Sequence, residues 1–361
     1  MSNKKVVIIG AAGYVGMELV TQLQPLSGQY DLYAFTRDNG SFLLEGKKIT
    51  HLTASDVAAH APFDVIVNLA YPTTAKPTSF PEVNKGILKT IRSLAGSGSK
   101  IIHVSTQAVF GFGMDKEVTA GFLKNRRDFP YIEAKLSMEN SIKNEFPEND
   151  LLIIRLGNVW GPGSGTWTGA LANKLLFGQY VATEGKDGYS NITDVKNVAS
   201  YIIHLIQKDN LKGKHIYHLA EFSDVRWSRI IKLMATELNV EPVYARVSTN
   251  YPLTLKDDVT KVLKFPSVGN VYRELVWGRI SGSYLRSLIR FLGASKFQKI
   301  KKTETRPLPE TQVLSKGELT HLDVLSSDKQ FKSILEEDWK PAVDFEQSWQ
   351  IVKNWMKDVG Y

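Results

Sequence analysis

The opening of the chain restricts the fold more than any later stretch does. Lys4-Lys5-Val6-Val7-Ile8-Ile9 runs straight into Gly10-Ala11-Ala12-Gly13-Tyr14-Val15-Gly16, and Leu19, Val20 and Leu23 then follow at helical spacing. A run of β-branched residues fits a strand covered on both faces. Glycines behind such a strand permit a tight turn, bring backbone N–H groups close to a pyrophosphate, and let the next helix pack against the strand. Gly10, Gly13, Tyr14, Val15 and Gly16 are therefore expected to contact a dinucleotide. An incidental turn is the bland alternative, and the placement between a buried strand and a helix favours the nucleotide site.

The 361 residues, 43% apolar and 23% charged, suit a globular protein of one large domain or two smaller ones. Cysteine is absent, which excludes disulfides, thiolate metal sites and cysteine nucleophiles and is compatible with a reducing compartment. The 7 histidines show no ligand spacing, and His215 and His218 point to opposite faces of one expected strand, so no metal is expected. The first apolar run is too short for a signal peptide, and no stretch of about 20 apolar residues would span a membrane, so a cytoplasmic location is expected. A net charge of +8 suits an anionic substrate, nucleic acid or a lipid surface alike. No nucleic-acid-binding motif accompanies it, and no nucleic-acid partner is expected.

Strand and helix alternate as far as Leu156. The second strand, Asp31 to Phe35, ends about 20 residues past the glycines, where the adenosine ribose is read. Thr36-Arg37 stands there instead of an acidic residue, and a guanidinium suits a 2′-phosphate, so NADP is favoured over NAD. Asp38 dilutes that preference, and a solvated loop charge is the alternative reading of Arg37. Lys48 to Leu52 reads as a weak third strand. Asp64 to Ala70 reads as a fourth, with Leu69 and Ala70 as small or apolar residues where a cofactor would pass. A helix over Val83 to Leu94, ended by Gly96-Ser97-Gly98, precedes a fifth strand, Lys100 to Val104. Ser105-Thr106-Gln107 stands at the carboxyl end of that strand, where open parallel sheets place ligand groups. Leu151 to Leu156 is the sixth strand. This alternation predicts an α/β fold with a doubly wound parallel sheet and right-handed connections.

Between the fifth and sixth strands lies Asp128-Phe129-Pro130-Tyr131-Ile132-Glu133-Ala134-Lys135. Pro130 is tolerated in a first helical turn, which puts Tyr131 near a helix start and Lys135 four residues on, on the same face. A cation beside a tyrosine favours the phenolate, making Tyr131 a candidate acid/base and Lys135 its tuner. With 14 tyrosines and many lysines the spacing alone also arises by chance.

The motifs Gly10-x-x-Gly13-x-x-Gly16, Asn68-Leu69-Ala70, Asn84-Lys85-Gly86, Val104 to Gly111, Tyr131-x-x-x-Lys135 and Arg155-Leu156-Gly157-Asn158-Val159-Trp160-Gly161-Pro162-Gly163 follow in this order. Together they resemble the extended short-chain dehydrogenases/reductases of the NAD-dependent epimerase/dehydratase type. The resemblance implies a Rossmann sheet with a smaller C-terminal substrate domain. Residues 1–163, with 191–220 returning to them, would bind the dinucleotide, and 164–190 with 221–361 would bind substrate. It assigns the hydroxyl role to Thr106 and the acid/base role to Tyr131. Lys135 would hold the nicotinamide ribose and lower the tyrosine pKa, and Asn84 would support the site through its helix. Asn158 and Trp167 are expected to line the substrate pocket. A homodimer is common among such enzymes.

Beyond Gly163 the likeness thins. Lys174 to Tyr180, Gly185, Asn191 to Ala199 and Lys214 to Leu219 still resemble the family, and Asp194 reads as a helix cap rather than a substrate ligand. Trp227 to Leu238 and Asp344 to Met356 read as amphipathic helices. Leu275 to Leu292 has helical spacing with arginines interspersed, followed by a lysine-rich run over Lys296 to Lys302. Such a helix lies on an anionic membrane or packs into a substrate domain, and packing is favoured.

The implied activity is hydride exchange between nicotinamide and a sugar hydroxyl or keto carbon, on a nucleotide-linked sugar. Gln107-Ala108 replaces the Asp-Glu pair of sugar-nucleotide dehydratases, and the cysteine of fucose-synthase-like enzymes is missing. A 4-epimerase and a simple ketoreductase both stay open. Two alternatives are an NADPH-dependent reductase of a hydrophobic ketone, sterol- or flavonoid-like, and a non-catalytic dinucleotide-binding protein.

Overall fold

A computed structural model of the chain describes residues 3–35, 43–72, 77–110, 130–246, 321–322 and 324–361. Thr36 and Arg37, the helix expected over residues 275–292 and the lysine-rich run after it lie outside the described residues. The chain divides into two compact units. One comprises Met1–Gly157, Thr193–Glu221 and Phe331–Val343, and the other Asn158–Ile192, Phe222–Gln330 and Asp344–Tyr361.

In the first unit β1 (Lys4–Ile9), α1 (Tyr14–Leu23), β2 (Tyr30–Phe35), β3 (Thr50–Leu52), α2 (Val57–His60), β4 (Phe63–Asn68), α3 (Phe80–Leu94), β5 (Ala95–Thr106), α4 (Pro130–Glu145) and β6 (Asp150–Leu156) follow one another. The strand β10 (Lys214–Leu219) completes a 7-stranded sheet in the order β10-β6-β5-β4-β1-β2-β3. Every pairing in it is parallel. This is the doubly wound Rossmann sheet. The strand order reverses between β1 and β4, and such a switch point opens a crevice at the carboxyl ends of the strands.

The burial explains the strand sequences. Val6, Val7 and Ile8 of β1 and Ile101 and Ile102 of β5 have no solvent exposure, as expected for strands covered on both faces. On one face Val7, Ile9, Ile66, Ile101, Leu151 and Ile153 pack with Ile91 and Leu94 of α3 and Met138 and Ile142 of α4. Several boundaries differ from the sequence reading, among them the end of β4, which stops at Asn68 and leaves Leu69 and Ala70 beyond the strand. The third strand begins at Thr50 rather than Lys48, and β5 begins at Ala95, taking in the Gly96-Ser97-Gly98 that reads as a helix terminator. The register shifts there, between Phe63 and Val65 of β4, so the glycines form an irregular strand entry directly after α3, which ends at Leu94 as expected.

Asp194 caps α6 (Val195–Gln207), its carboxylate accepting the Lys196 N–H at 2.7 Å. Glu221 accepts from the Thr193 hydroxyl at 2.6 Å, the Asp194 N–H at 2.8 Å and the Asn197 amide at 2.7 Å. Burial outweighs these donors and pushes its carboxyl up to about 7.

The second unit holds β7 (Asn158–Trp160), α5 (Gly169–Leu176), β8 (Tyr180–Thr183), α7 (Trp227–Leu238), β11 (Val243–Ala245) and α8 (Phe345–Asp358), and the short strand β9 (Ile192–Asp194) carries the chain back into the first. Its core gathers Trp160, Leu171, Leu175, Trp227, Met234 and Trp349 among others. Asp344 and Gln347 cap α8 reciprocally, which fixes where that helix starts.

Candidate active site

The glycine loop is shaped by close approach. Gly10 has φ +86°, and a Cβ there would meet the Ala70 nitrogen at 3.1 Å and the Leu69 carbonyl carbon at 3.3 Å. A Cβ at Gly16 would overlap the carbonyl oxygens of Gly10 and Ala11. No side chain caps α1 at Gly13, so the N–H groups of its first turn are left for an anion, with the helix dipole favouring negative charge. These features fit a dinucleotide pyrophosphate. Tyr14 and Val15 offer that ligand backbone. The Tyr14 hydroxyl itself is buried without a partner, and burial, Asp194 and Glu18 together hold its pKa well above the ordinary value.

Leu69 and Ala70 are set by the strand end before them. The Ala70 N–H donates to Asn68 Oδ1 at 3.1 Å, and Asn68 Nδ2 lies 3.0 Å from His103 Nδ1 in the buried sheet. His103 is only 1% exposed and its Nε2 has no partner. Burial and the nearby Lys135 charge pull its pKa down to about 3, so it is neutral.

Thr106 ends β5 and Tyr131 opens α4. Their side chains share a hydrogen bond. Tyr131 leaves 38% of its surface to solvent, yet its hydroxyl is desolvated, which raises its pKa against the opposing pull of Thr106. Lys135, one turn on, is buried and donates to the Val104 carbonyl at 3.1 Å. Burial brings its ammonium down to about 8 while the Glu139 carboxylate pulls the other way. The ammonium is directed at a backbone carbonyl and at the face of the Tyr71 ring, 5.0 Å away, and it is not among the influences on Tyr131. Asn84 on α3 donates to the Ala134 carbonyl at 2.8 Å, tying that helix to the turn between Tyr131 and Lys135.

Asn158 and Trp167 belong to the second unit. The Asn158 amide donates to the Ser190 carbonyl at 2.7 Å, and the Trp167 ring packs on Trp227 at 5.3 Å and on His321 at 5.7 Å.

Tyr71, Glu139, Arg155 and His103, which sequence reasoning did not single out, gather around Lys135. Arg155 pairs with Glu139 through Nε at 3.1 Å and Nη2 at 2.8 Å, and both side chains are buried. A charged residue inside the apolar strand β6, and a glutamate four residues past Lys135 on the same helix, were the available signals. Among the described residues no group of acidic, histidine or cysteine side chains gathers as a metal site, and no helix is long and apolar enough to cross a membrane.

No curated protein matches the chain. Solved structures share its fold. UDP-glucuronic acid 4-epimerase from Bacillus cereus, in complex with UDP-glucuronic acid and NAD, is 17% identical with a TM-score of 0.52, over 68% of this chain and 86% of that one. dTDP-glucose 4,6-dehydratase from Bacillus anthracis, with NAD, is 13% identical with a TM-score of 0.55, over 98% and 96%. ADP-L-glycero-D-manno-heptose-6-epimerase from Helicobacter pylori is 18% identical with a TM-score of 0.52, over 67% and 84%. The family described as the RmlD substrate binding domain matches residues 4–267. With the glycine cradle, the Thr106 and Tyr131 pair and the parallel sheet in place, the chain belongs to that family, within the extended short-chain dehydrogenases/reductases.

Proposed function

We propose that the chain is an NAD(P)-dependent oxidoreductase or epimerase acting at a hydroxyl or keto carbon of a nucleotide-linked sugar. The hydrogen-bonded Thr106 and Tyr131, with Lys135 one turn on, carry this reading. They lie in the same unit as the glycine cradle. The family match supports the sugar-nucleotide substrate, as do solved enzymes of this fold that act on UDP-, dTDP- and ADP-linked sugars.

A bound nicotinamide would supply the hydride chemistry. Tyr131 manages the proton. Its raised pKa keeps the phenol neutral, so the pair is set to deliver a proton to a substrate oxygen that Thr106 orients. The oxidising direction needs the phenolate: once the phenol has lost its proton to solvent, Tyr131 accepts the proton of the substrate hydroxyl. Asn84 holds the helix turn that places them, and Lys135 keeps a cation beneath them. Gln107-Ala108 disfavours elimination and the absence of cysteine disfavours a fucose-synthase-like reaction, which leaves a 4-epimerase or a simple ketoreductase. NADP is the cofactor favoured by Arg37. Residues 1–163 with 191–220 form the dinucleotide domain in this reading, and 164–190 with 221–361 form the substrate-binding region.

Denaturing the freshly purified protein and identifying any released nucleotide by mass spectrometry tests this. Near-stoichiometric NAD(P) supports an epimerase that regains its hydride each cycle. An empty protein that binds added NADPH supports a reductase. A protein that neither releases nor binds either dinucleotide overturns the proposal, and NAD without NADP overturns the reading of Arg37. Tyr131→Phe is expected to keep the cofactor and lose about 10²- to 10⁴-fold in turnover.

A further inference from the structure

Tyr71 directly follows Asn68-Leu69-Ala70 at the carboxyl end of β4, and no motif singles it out. Its ring meets three side chains of the first unit. The Tyr131 ring lies at 4.9 Å with an interplanar angle of 86°, and the Phe80 ring at 5.8 Å and 66°. The Lys135 ammonium stands over its face at 5.0 Å. Edge-to-face contact aims the positive edge of one ring at the negative face of the other and fixes their relative tilt. A cation over a ring face is attracted by the same quadrupole, more strongly where water is excluded.

We propose that Tyr71 is a positioning residue of the active site, its ring holding the Lys135 ammonium on one face and setting the angle of the Tyr131 ring. This rests on the reading that Tyr131 and Lys135 are the reacting pair. An ammonium has three donors. One is taken by the Val104 carbonyl and one faces the Tyr71 ring, which leaves the third for a ligand hydroxyl.

A leucine at this position would fill part of the volume but offer no negative face, so packing and positioning make different predictions. The groups that face Lys135 are Glu139 on its own helix, His103 on β5 and the ring of Tyr71. His103 is neutral and Glu139 is paired with Arg155, so exchanging the Tyr71 ring changes the environment of Lys135 without changing a charge.

The test is the titration of Lys135, followed by NMR in protein labelled with ¹³C at the lysine ε-carbon, with its signal assigned by its loss in Lys135→Met. Tyr71→Phe keeps the ring and leaves the Lys135 pKa unchanged. Tyr71→Leu removes the ring and lowers that pKa by about 0.5 to 1 unit. A ring-fluorinated phenylalanine introduced at position 71 keeps the shape, weakens the quadrupole and lowers the pKa as leucine does, which preserves the test if Tyr71→Leu fails to fold. An unchanged or raised Lys135 pKa in the leucine and fluorinated variants overturns the proposal.

In turnover, Tyr71→Leu is expected to lower kcat about tenfold and shift the pH profile, with cofactor affinity retained and Tyr71→Phe close to the parent. Loss confined to KM overturns the positioning role. The titration needs no substrate. An enzyme inactive on nucleotide sugars with a normal Lys135 response sinks the functional reading alone, and an active enzyme with an unresponsive Lys135 sinks this inference alone.

Discussion

Two interiors of this protein are built on different terms. Under α4 the first unit buries Lys135, Glu139 and Arg155 beside His103, and the second unit packs Trp160, Trp227 and Trp349 with aliphatic neighbours. Burying a charge costs several kcal/mol unless a partner and further hydrogen bonds offset it, whereas burying an indole ring is favourable in itself. The charged seam is therefore held by mutual satisfaction, in which each group depends on the next. The tryptophan core tolerates a defect: the indole N–H groups of Trp160 and Trp227 are buried without a partner. A seam that gives up stability to keep cations and carboxylates in place is what a site for proton transfer requires.

The contrast breaks most visibly at Arg155. Arg155→Met leaves the buried Glu139 without its bidentate partner, and with Lys143 only at 3.9 Å the loss is expected to be about 3–5 kcal/mol in urea unfolding. The double variant Glu139→Leu/Arg155→Met should recover most of it, because two apolar groups then replace two charges. A single variant as stable as the parent would show that the seam is not held by pairing.

Lys135 gives the next largest effect, with the opposite sign. Its folded pKa of about 8 lies below the ordinary 10.5, so the folded state resists holding the ammonium. At pH 7 that penalty is present in full, and it fades as pH rises from 8 to 10.5. Lys135→Met should therefore raise stability at pH 7 by up to about 3 kcal/mol and raise it little at pH 10.5. Thermal melts of parent and variant across that range check this, and a variant less stable at pH 7 would contradict the buried-cation account.

Trp160 is the smallest effect and sharpens the other side of the comparison. Trp160→Phe trims packing but removes an N–H that already lacks a partner, so it should cost less than about 1.5 kcal/mol. A larger loss in the urea midpoint would mean that the indole nitrogen contributes to the fold.

Much of this was readable from local chemistry. The ends of β1, β10 and α7 coincide with the sequence reading, because β-branched runs and helical periodicity are properties of adjacent residues. Asp194 as a cap follows from a short acceptor placed before a helix. Where the reading slipped, the cause was tertiary: β5 starts at Ala95 because Ala95 pairs with Phe63 of β4, and the register shifts across Gly96 to Gly98 before Lys100 meets Val65. At the site, Tyr131 and Lys135 were visible through their four-residue spacing, but the direction of the tyrosine pKa was not. Spacing gives proximity, whereas desolvation and the aim of the ammonium depend on what the sheet and Tyr71 place around them.

The sequence by itself determined the elements: a buried strand, a glycine loop that only close backbone approach explains, a tyrosine and a lysine on one helix face, and the alternation that calls for a parallel sheet. Only the tertiary structure decided that Arg155 of β6 answers Glu139 of α4, and that His103 answers Asn68 across adjacent strands. It also decided that Tyr71 lies against both Tyr131 and Lys135. Periodicity and propensity act between near neighbours in the chain. A buried charge or a ring face finds its partner through strand order and register, and these are set when the whole sheet assembles.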